Sequence, residues 1–276
     1  LQGQRKGLNY NLIKNRLEKK LISPDWIDAG ELSQDDMIAF PIPRYEHDIS
    51  YISEDDCYMY GVILGDGCLN NSNTNGYISV NKNSKRHILE FAQQYFNQKL
   101  VPFRLETKDN TTRLYWSKNV NLPFKYSDIY KNKEKYCAGR WLNLPLHKSS
   151  MILKGLIDTD GCIRNEVVFD NTSYNLIEAV RFICLRMGVL TSGYTRDRIG
   201  ESHTSVYGDE ITNKKLSYCL RIPKTSEMCE LLEMDEEEYG KFFKFLKYDN
   251  MLFTRIQTIS EKEYNGTLYD LQMKNE

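Results

Sequence analysis

Met59-Tyr60-Gly61-Val62-Ile63-Leu64-Gly65-Asp66-Gly67 and Leu153-Lys154-Gly155-Leu156-Ile157-Asp158-Thr159-Asp160-Gly161 are two apolar stretches of helical character, each closing on Asp-Gly, the second 94 residues after the first. Similar segments follow each copy, so the repeated unit is a half-domain rather than a short solenoid turn. A single Asp-Gly at a helix end is an ordinary turn signal. Two of them behind matching small-residue helices imply a duplicated acidic site. Gly61 and Gly65 lie four apart on one helix face, and Gly155 and Thr159 take the equivalent positions, again small. Helices packed through these faces would cross tightly and bring Asp66 and Asp160 together.

Working outward, Ser53 followed by Asp56 is a capping signature for the first motif helix. An asparagine-rich loop, an alternating strand at 76–82 and an amphipathic helix at 85–97 capped by Ser84 are expected next. Strands at 103–107 and 112–117 surround the turn composition Lys108-Asp109-Asn110. The second half repeats the order: a strand at 167–171, a helix at 174–187 capped by Ser173 and stopped by Gly188, strands near 190–196 and 216–222 around a polar loop at 198–213, and a helix from Thr225. The caps stand 89 apart and the aspartates 94 apart, which assigns five extra residues to the first half's asparagine-rich loop. Outside the repeat, the basic residues 1–20 read as a solvated arm. Residues 23–41 read as a helical turn and a strand ended by Pro41 and Pro43, and 255–259 with 266–273 read as two strands around Tyr264-Asn265-Gly266.

Composition narrows the classes. With 41% hydrophobic and 27% charged residues, the 276-residue chain can bury an ordinary core, and no apolar run approaches the ~20 residues of a membrane span. Seven scattered cysteines form no C-x-x-C pair and no zinc spacing with histidine, so they read as reduced thiols of an intracellular protein. A net charge of −1 gives no global attraction to nucleic acid, so any such contact must be local.

A carboxylate at the end of each of two abutting helices is electrostatically costly, because helix C-termini are already negative and like charges repel. A divalent cation with all-oxygen ligands offsets this, and Mg²⁺ bridging to phosphate oxygens fits metal-assisted phosphodiester hydrolysis. Mn²⁺ or Ca²⁺ can occupy the same sites. Asp158, whose counterpart is Leu64, reads as structural.

These paired motifs resemble those of the LAGLIDADG homing endonucleases in their single-chain, two-motif form, over residues 52–248. The second motif departs from the family pattern at Lys154 and Thr159, and the first keeps Gly61 and Asp66-Gly67. The resemblance implies an α+β fold: a pseudo-twofold pair of αββαββα half-domains, motif helices at the centre and antiparallel saddle sheets for DNA. It implies Asp66 and Asp160 as metal ligands, with the carbonyls of Gly65 and Thr159 as further candidates. By repeat position it suggests Lys82, Asn171, Lys118 and Lys224 as catalytic polar or basic groups, and Arg140 more weakly. Alternation along the strands nominates Tyr77, Ser79, Asn81, Arg113, Tyr115, Ser117, Tyr194, Arg196, Arg198, Tyr218 and Arg221 for DNA contact, with register fixing which face is right.

The flanks are similar to segments of the intein (Hint) splicing domain, through 26–41 and 266–271. The chain opens with Leu1 and ends at Glu276 without His-Asn, so splicing is not expected of it as given. The expected division is a basic arm and flank at 1–50, half-domains at 51–140 and 141–250, and a second flank at 251–276. The leading expectation is a monomeric, metal-dependent endonuclease that makes a double-strand break in a long pseudo-palindromic or asymmetric DNA target, genomic or organellar, and is intein-derived or intein-encoded. An RNA-binding intron maturase and a non-cleaving DNA-binding regulator on the same fold remain alternatives.

Overall fold

The computed structural model describes residues 9–34, 36–117, 121–204, 210–234 and 244–267. Before the repeat come α1 (Tyr10–Glu18) and β1 (Met37–Pro41). The first half comprises α2 (Glu54–Asp66), β2 (Gly67–Leu69), β3 (Asn75–Asn81), α3 (Arg86–Gln98), β4 (Phe103–Lys108) and β5 (Thr111–Ser117). A connector carries α4 (Tyr126–Ile129), the strands β6 (Tyr130–Lys131) and β7 (Glu134–Lys135), and α5 (Gly139–Leu142). The second half comprises α6 (Leu146–Asp160), β8 (Gly161–Ile163), β9 (Val167–Asn171), α7 (Tyr174–Arg186), β10 (Ser192–Arg196), the small hairpin β11 (Ser202–Thr204) and β12 (Glu210–Thr212), β13 (Ser217–Ile222) and α8 (Ser226–Leu231). β14 (Leu246–Tyr248) and β15 (Met251–Arg255) follow. The fold is α+β, and its two four-stranded antiparallel sheets have matching orders, β2-β3-β5-β4 and β8-β9-β13-β10.

The frame is set by α2 against α6. A Cβ built on Gly61 would stand 2.3 Å from the Ile152 carbonyl oxygen, and one on Gly155 would stand 2.4 Å from that of Tyr58. Only glycine permits this backbone-to-backbone approach. α2 is buried on nearly all sides, from Cys57 to Leu64, which is why it carries almost no polar face. Its start is the expected capping box: Ser53 Oγ accepts from the Asp56 amide, and Asp56 accepts from the Ser53 amide. Asp56, fully buried, also accepts from Tyr95 at 2.8 Å and pairs with Lys99 at 2.7 Å. Burial opposes its charge, but Lys99, Ser53 and Tyr95 together hold its carboxyl below the ordinary range. Tyr58 donates to Asp158 at 2.7 Å, a bond between the two motif helices.

Several expectations are corrected. α3 starts at Arg86 with Lys85 as its cap residue, and Ser84 makes no capping bond. Asn81 builds the turn instead: its side chain accepts from the amides of Asn83 and Ser84, and its carbonyl accepts from the Lys85 amide. In the second half Ser173 does cap α7, accepting from the Leu176 amide. With Lys85 rather than Ser84 as the cap residue the extra length is six residues rather than five, and the pairs Gly67 with Ile78 and Gly161 with Phe169 split it, three before the paired strand position and three between strand and helix. The loop at 198–213 carries the β11–β12 hairpin.

The flanks form their own small sheet, β1-β15-β14, with a separate core of Leu17, Leu246 and Phe253. Residues 10–18 of the expected solvated arm are therefore a helix that buries Leu17. The C-terminal strand lies at 251–255 rather than 255–259, and residues 256–267 form no strand. Most of the second expected tail strand, and residues 1–8 of the arm, lie outside the described residues. No helix among the described residues is long and apolar enough to cross a membrane.

Candidate active site and nucleic-acid interface

Asp66 and Asp160 are the last residues of α2 and α6, so the tight crossing carries both half-buried carboxylates to one place. Two lysines join them there. Lys85 Nζ donates to Asp66 Oδ2 at 2.6 Å and to the Thr159 carbonyl at 2.5 Å. Lys135 Nζ donates to the Gly65 carbonyl at 2.6 Å and to that of Ile63 at 3.3 Å. Asp160 accepts from Asn171 Nδ2 at 2.9 Å. Burial and the neighbouring Asp66 push the Asp160 carboxyl up, against Lys135, Lys85 and Asn171, which pull it down. Burial pulls Lys135 below the ordinary lysine range despite both aspartates.

The connector delivers Lys135 from β7, and Ser173 at the start of α7 donates to the Lys135 carbonyl at 2.6 Å. Neither Lys85 nor Lys135 was nominated by repeat position. Lys85 hides beside Ser84, which imitates a cap, and Lys135 lies in the connector, where the repeat has no copy. Of the nominated groups, Asn171 reaches Asp160. Lys82 is exposed and only its amide is engaged, donating to the Asn110 carbonyl. Lys224 is 6% exposed, buried before the α8 cap rather than solvated at a strand end. Lys118 lies outside the described residues. Arg140 grips Asp128 with two bonds at 2.8 and 2.6 Å and the Pro123 carbonyl at 2.8 Å, so it braces the connector beneath Tyr60 and Trp141.

A donor set of two carboxylates and two main-chain carbonyls, all oxygen, suits a hard divalent cation. The two ammonium groups already standing on these oxygens show that the position attracts positive charge. Among the described residues no group of three or more His, Cys, Asp or Glu gathers anywhere, this site included, so an ion here would rest on two carboxylates and main-chain oxygens.

Each sheet has one face on the core and one open. In the first, Ile78, Val80, Leu114 and Trp116 point inward, which leaves Tyr77, Ser79, Asn81, Arg113, Tyr115 and Ser117 on the open face. Ser79 faces Arg113 and Tyr77 faces Tyr115, and Arg104 of β4 adds a cation over the Tyr115 ring at 4.6 Å. In the second, Arg221 faces Ser192, Cys219 faces Tyr194 and Ser217 faces Arg196, all on the open side. Tyr218 is one residue out of phase. It lies on the helix side with its ring against Tyr174 of α7, so its place on the open face is withdrawn. Arg196 is tied to Asp170 at 2.8 Å and to the Tyr194 hydroxyl at 2.9 Å, and Arg221 to Glu166 at 3.0 Å. Arg198 is exposed beyond the strand end. Asn81 lies on the open face, but its carboxamide oxygen is engaged in the turn it builds.

The ATP-dependent DNA helicase Hel308 of Methanocaldococcus jannaschii is 28% identical over 167 residues, 53% of this chain but only 12% of the helicase. Mesophilic variants of the homing endonuclease I-DmoI align with a TM-score of 0.47 and 15% identity, covering 67% of this chain and 99% of theirs. I-DmoI in complex with DNA and Mn aligns at 0.46 and 16%, covering 67% and 99%. The N-terminal LAGLIDADG domain of DUF199/WhiA aligns at 0.40 and 8%, covering 68% and 88%. Residues 148–242, which hold α6 from its third residue and the sheet of the second half, match the family model described as a LAGLIDADG-like domain.

Proposed function

We propose that this protein is a site-specific DNA endonuclease of homing type that hydrolyses one phosphodiester in each strand of a long duplex target. The observation that carries the reading is the convergence of Asp66 and Asp160 at the crossing of α2 and α6, between two sheets whose open faces alternate arginine with tyrosine. The matching sheet orders provide two equivalent reading surfaces about one centre, the symmetry a duplex presents to a pair of cuts. Asp66, Asp160 and the carbonyls of Gly65 and Thr159 would hold the divalent ions, Mg²⁺ in the cell. Such an ion, when bound, activates the attacking water and stabilises the leaving oxygen.

The chain's own residues supply position and charge. The glycine contacts fix the spacing of the two carboxylates, Asn171 orients Asp160, and Lys135 places a cation beside the site where phosphate charge develops. The open faces would bind the major groove, arginines reading guanine edges or phosphates and serine hydroxyls donating to bases. The pairing of β1 with β15 and of β15 with β14 supports one flanking module around the two half-domains, with residues 246–248 joining the flank rather than the half-domain expected at 141–250. Intein ancestry, a monomeric state and an intracellular setting belong to this proposal. Retention of both carboxylates favours it over an intron maturase or a non-cleaving regulator.

Selection of cleaved sites from a randomised duplex library in Mg²⁺ tests it. One long site should be recovered, and Asp160→Asn should abolish cutting at least about 10³-fold while binding persists. Binding to intron RNA with no DNA cleavage in any divalent metal would overturn it.

A further inference from the structure

We propose that Lys85 is an internal counter-cation that closes the acidic site while no divalent ion is bound and must be displaced for an ion to enter at Asp66. This rests on the metal reading above and goes beyond it by assigning a competitor for the site. The two oxygens that Lys85 holds, Asp66 Oδ2 and the Thr159 carbonyl, come from different motif helices, so its ammonium sits across the junction of the halves. They belong to two of the four oxygen-bearing groups that suit the ion. Two cations cannot share them.

The geometry also provides the way out. The Lys85 amide is bound to the Asn81 carbonyl, so the residue is anchored by its backbone, while its side chain keeps 26% of its surface exposed and can swing toward solvent. Around Asp160 the arrangement differs. The carboxylate there accepts from the neutral amide of Asn171, and Lys135 stands on the Gly65 and Ile63 carbonyls. An entering ion therefore breaks a salt bridge at Asp66, whereas among the described residues Asp160 makes no ion pair and accepts only from a neutral amide. The residue equivalent to Lys85 at the start of α7 is Ser173, whose hydroxyl is turned to the Lys135 carbonyl, so the cap position that puts an ammonium on the Asp66 carboxylate puts none on Asp160.

The test is calorimetric titration of Mn²⁺ into the full chain without DNA, with thermal unfolding followed in parallel. Lys85→Met should bind Mn²⁺ about ten-fold tighter than the wild type. It should also unfold at a lower temperature without metal and recover on adding Mn²⁺, because the Asp66 carboxylate has then lost its ammonium partner and the ion replaces it. Lys85→Arg, which keeps the cation, should bind no tighter than the wild type. Equal or weaker binding by Lys85→Met would overturn the proposal. A double Asp66→Asn, Asp160→Asn variant separates the two readings: if it loses the ion while Lys85→Met is unchanged, only the competition fails. If it still binds Mn²⁺ like the wild type, the metal site itself fails and the competition with it.

Discussion

Around Asp66 the neighbouring side-chain donor is a lysine, and around Asp160 it is an asparagine. The same contrast runs through the two halves. Their sheets have one strand order, and Gly61 and Gly155 meet backbone to backbone, yet Gly65 faces Thr159 where a strict repeat would place glycine opposite glycine. The first motif helix begins on the buried network of Asp56 with Lys99 and Tyr95. The second begins at Pro145 without a side-chain cap, braced by Arg186, which donates to Ser149 Oγ at 2.9 Å and to the Leu142 and Leu144 carbonyls. What the two halves must share is the approach of the helices. The groups that surround the acids and seat the helix starts are free to diverge once that approach is fixed.

Breaking the shared element should have the largest effect. Gly61→Ala drives a methyl into the Ile152 carbonyl, a contact no side-chain movement relieves, and should cost on the order of 3 kcal/mol or more in denaturant unfolding, with loss of cleavage. The unshared network comes next. Asp56→Ala removes the reciprocal half of the α2 capping box, keeping the Ser53 bond to the amide of residue 56, and leaves Lys99 and Tyr95 without their acceptor, at about 2–3 kcal/mol. The sign of its pH effect follows from a carboxyl held below the ordinary range. Its contribution is complete above the unfolded value near ~4 and is lost as pH falls toward the folded one. Acid unfolding curves of wild type and Asp56→Asn should therefore converge below pH ~4.

The open faces give a smaller contrast. Arg113 rests on the Tyr77 ring, whereas Arg196 is paired with Asp170 and must leave it to reach DNA. Arg113→Ala should weaken target binding by about 1–3 kcal/mol, and Arg196→Ala by less, as measured by fluorescence anisotropy across a salt series. The smallest effect isolates the asymmetric contact. A methyl on Gly65 would meet Thr159 Oγ1 at 2.0 Å, a side-chain clash. Thr159→Gly should therefore rescue part of Gly65→Ala, with a coupling of about 1 kcal/mol, while rescuing none of Gly61→Ala.

The motif helices were legible because duplication wrote the same small-residue spacing and terminal acid twice, and chance does not. The alternating strands were legible for the same reason that Tyr218 was misplaced: a period of two names a face only once the register is known, and Arg221 fixes the face that excludes Tyr218. Lys85 was hidden by chemistry, since Ser84 carries a stronger local capping preference than the Asn81 turn that wins. Lys135 was hidden by topology, since a residue in the connector reaches α2 only after both halves have closed around it. Leu17, in a segment rich in lysine and arginine, finds Leu246 and Phe253 across more than two hundred residues, a pairing no local pattern announces.

That pairing also bears on the order of folding. Pro41 sits opposite Met251, and Asn250 both accepts from the Ile42 amide and donates its side chain to the Ile42 carbonyl. From an open chain, joining these strands means closing a loop of roughly 200 residues, an entropic cost of about 5 kcal/mol. Once the two halves have assembled, the same ends are already neighbours and little of that cost remains. The flanking sheet should therefore be the last unit to gain protection in pulsed hydrogen exchange and the first to lose it on mild denaturation, making it a reporter of whether the centre has closed.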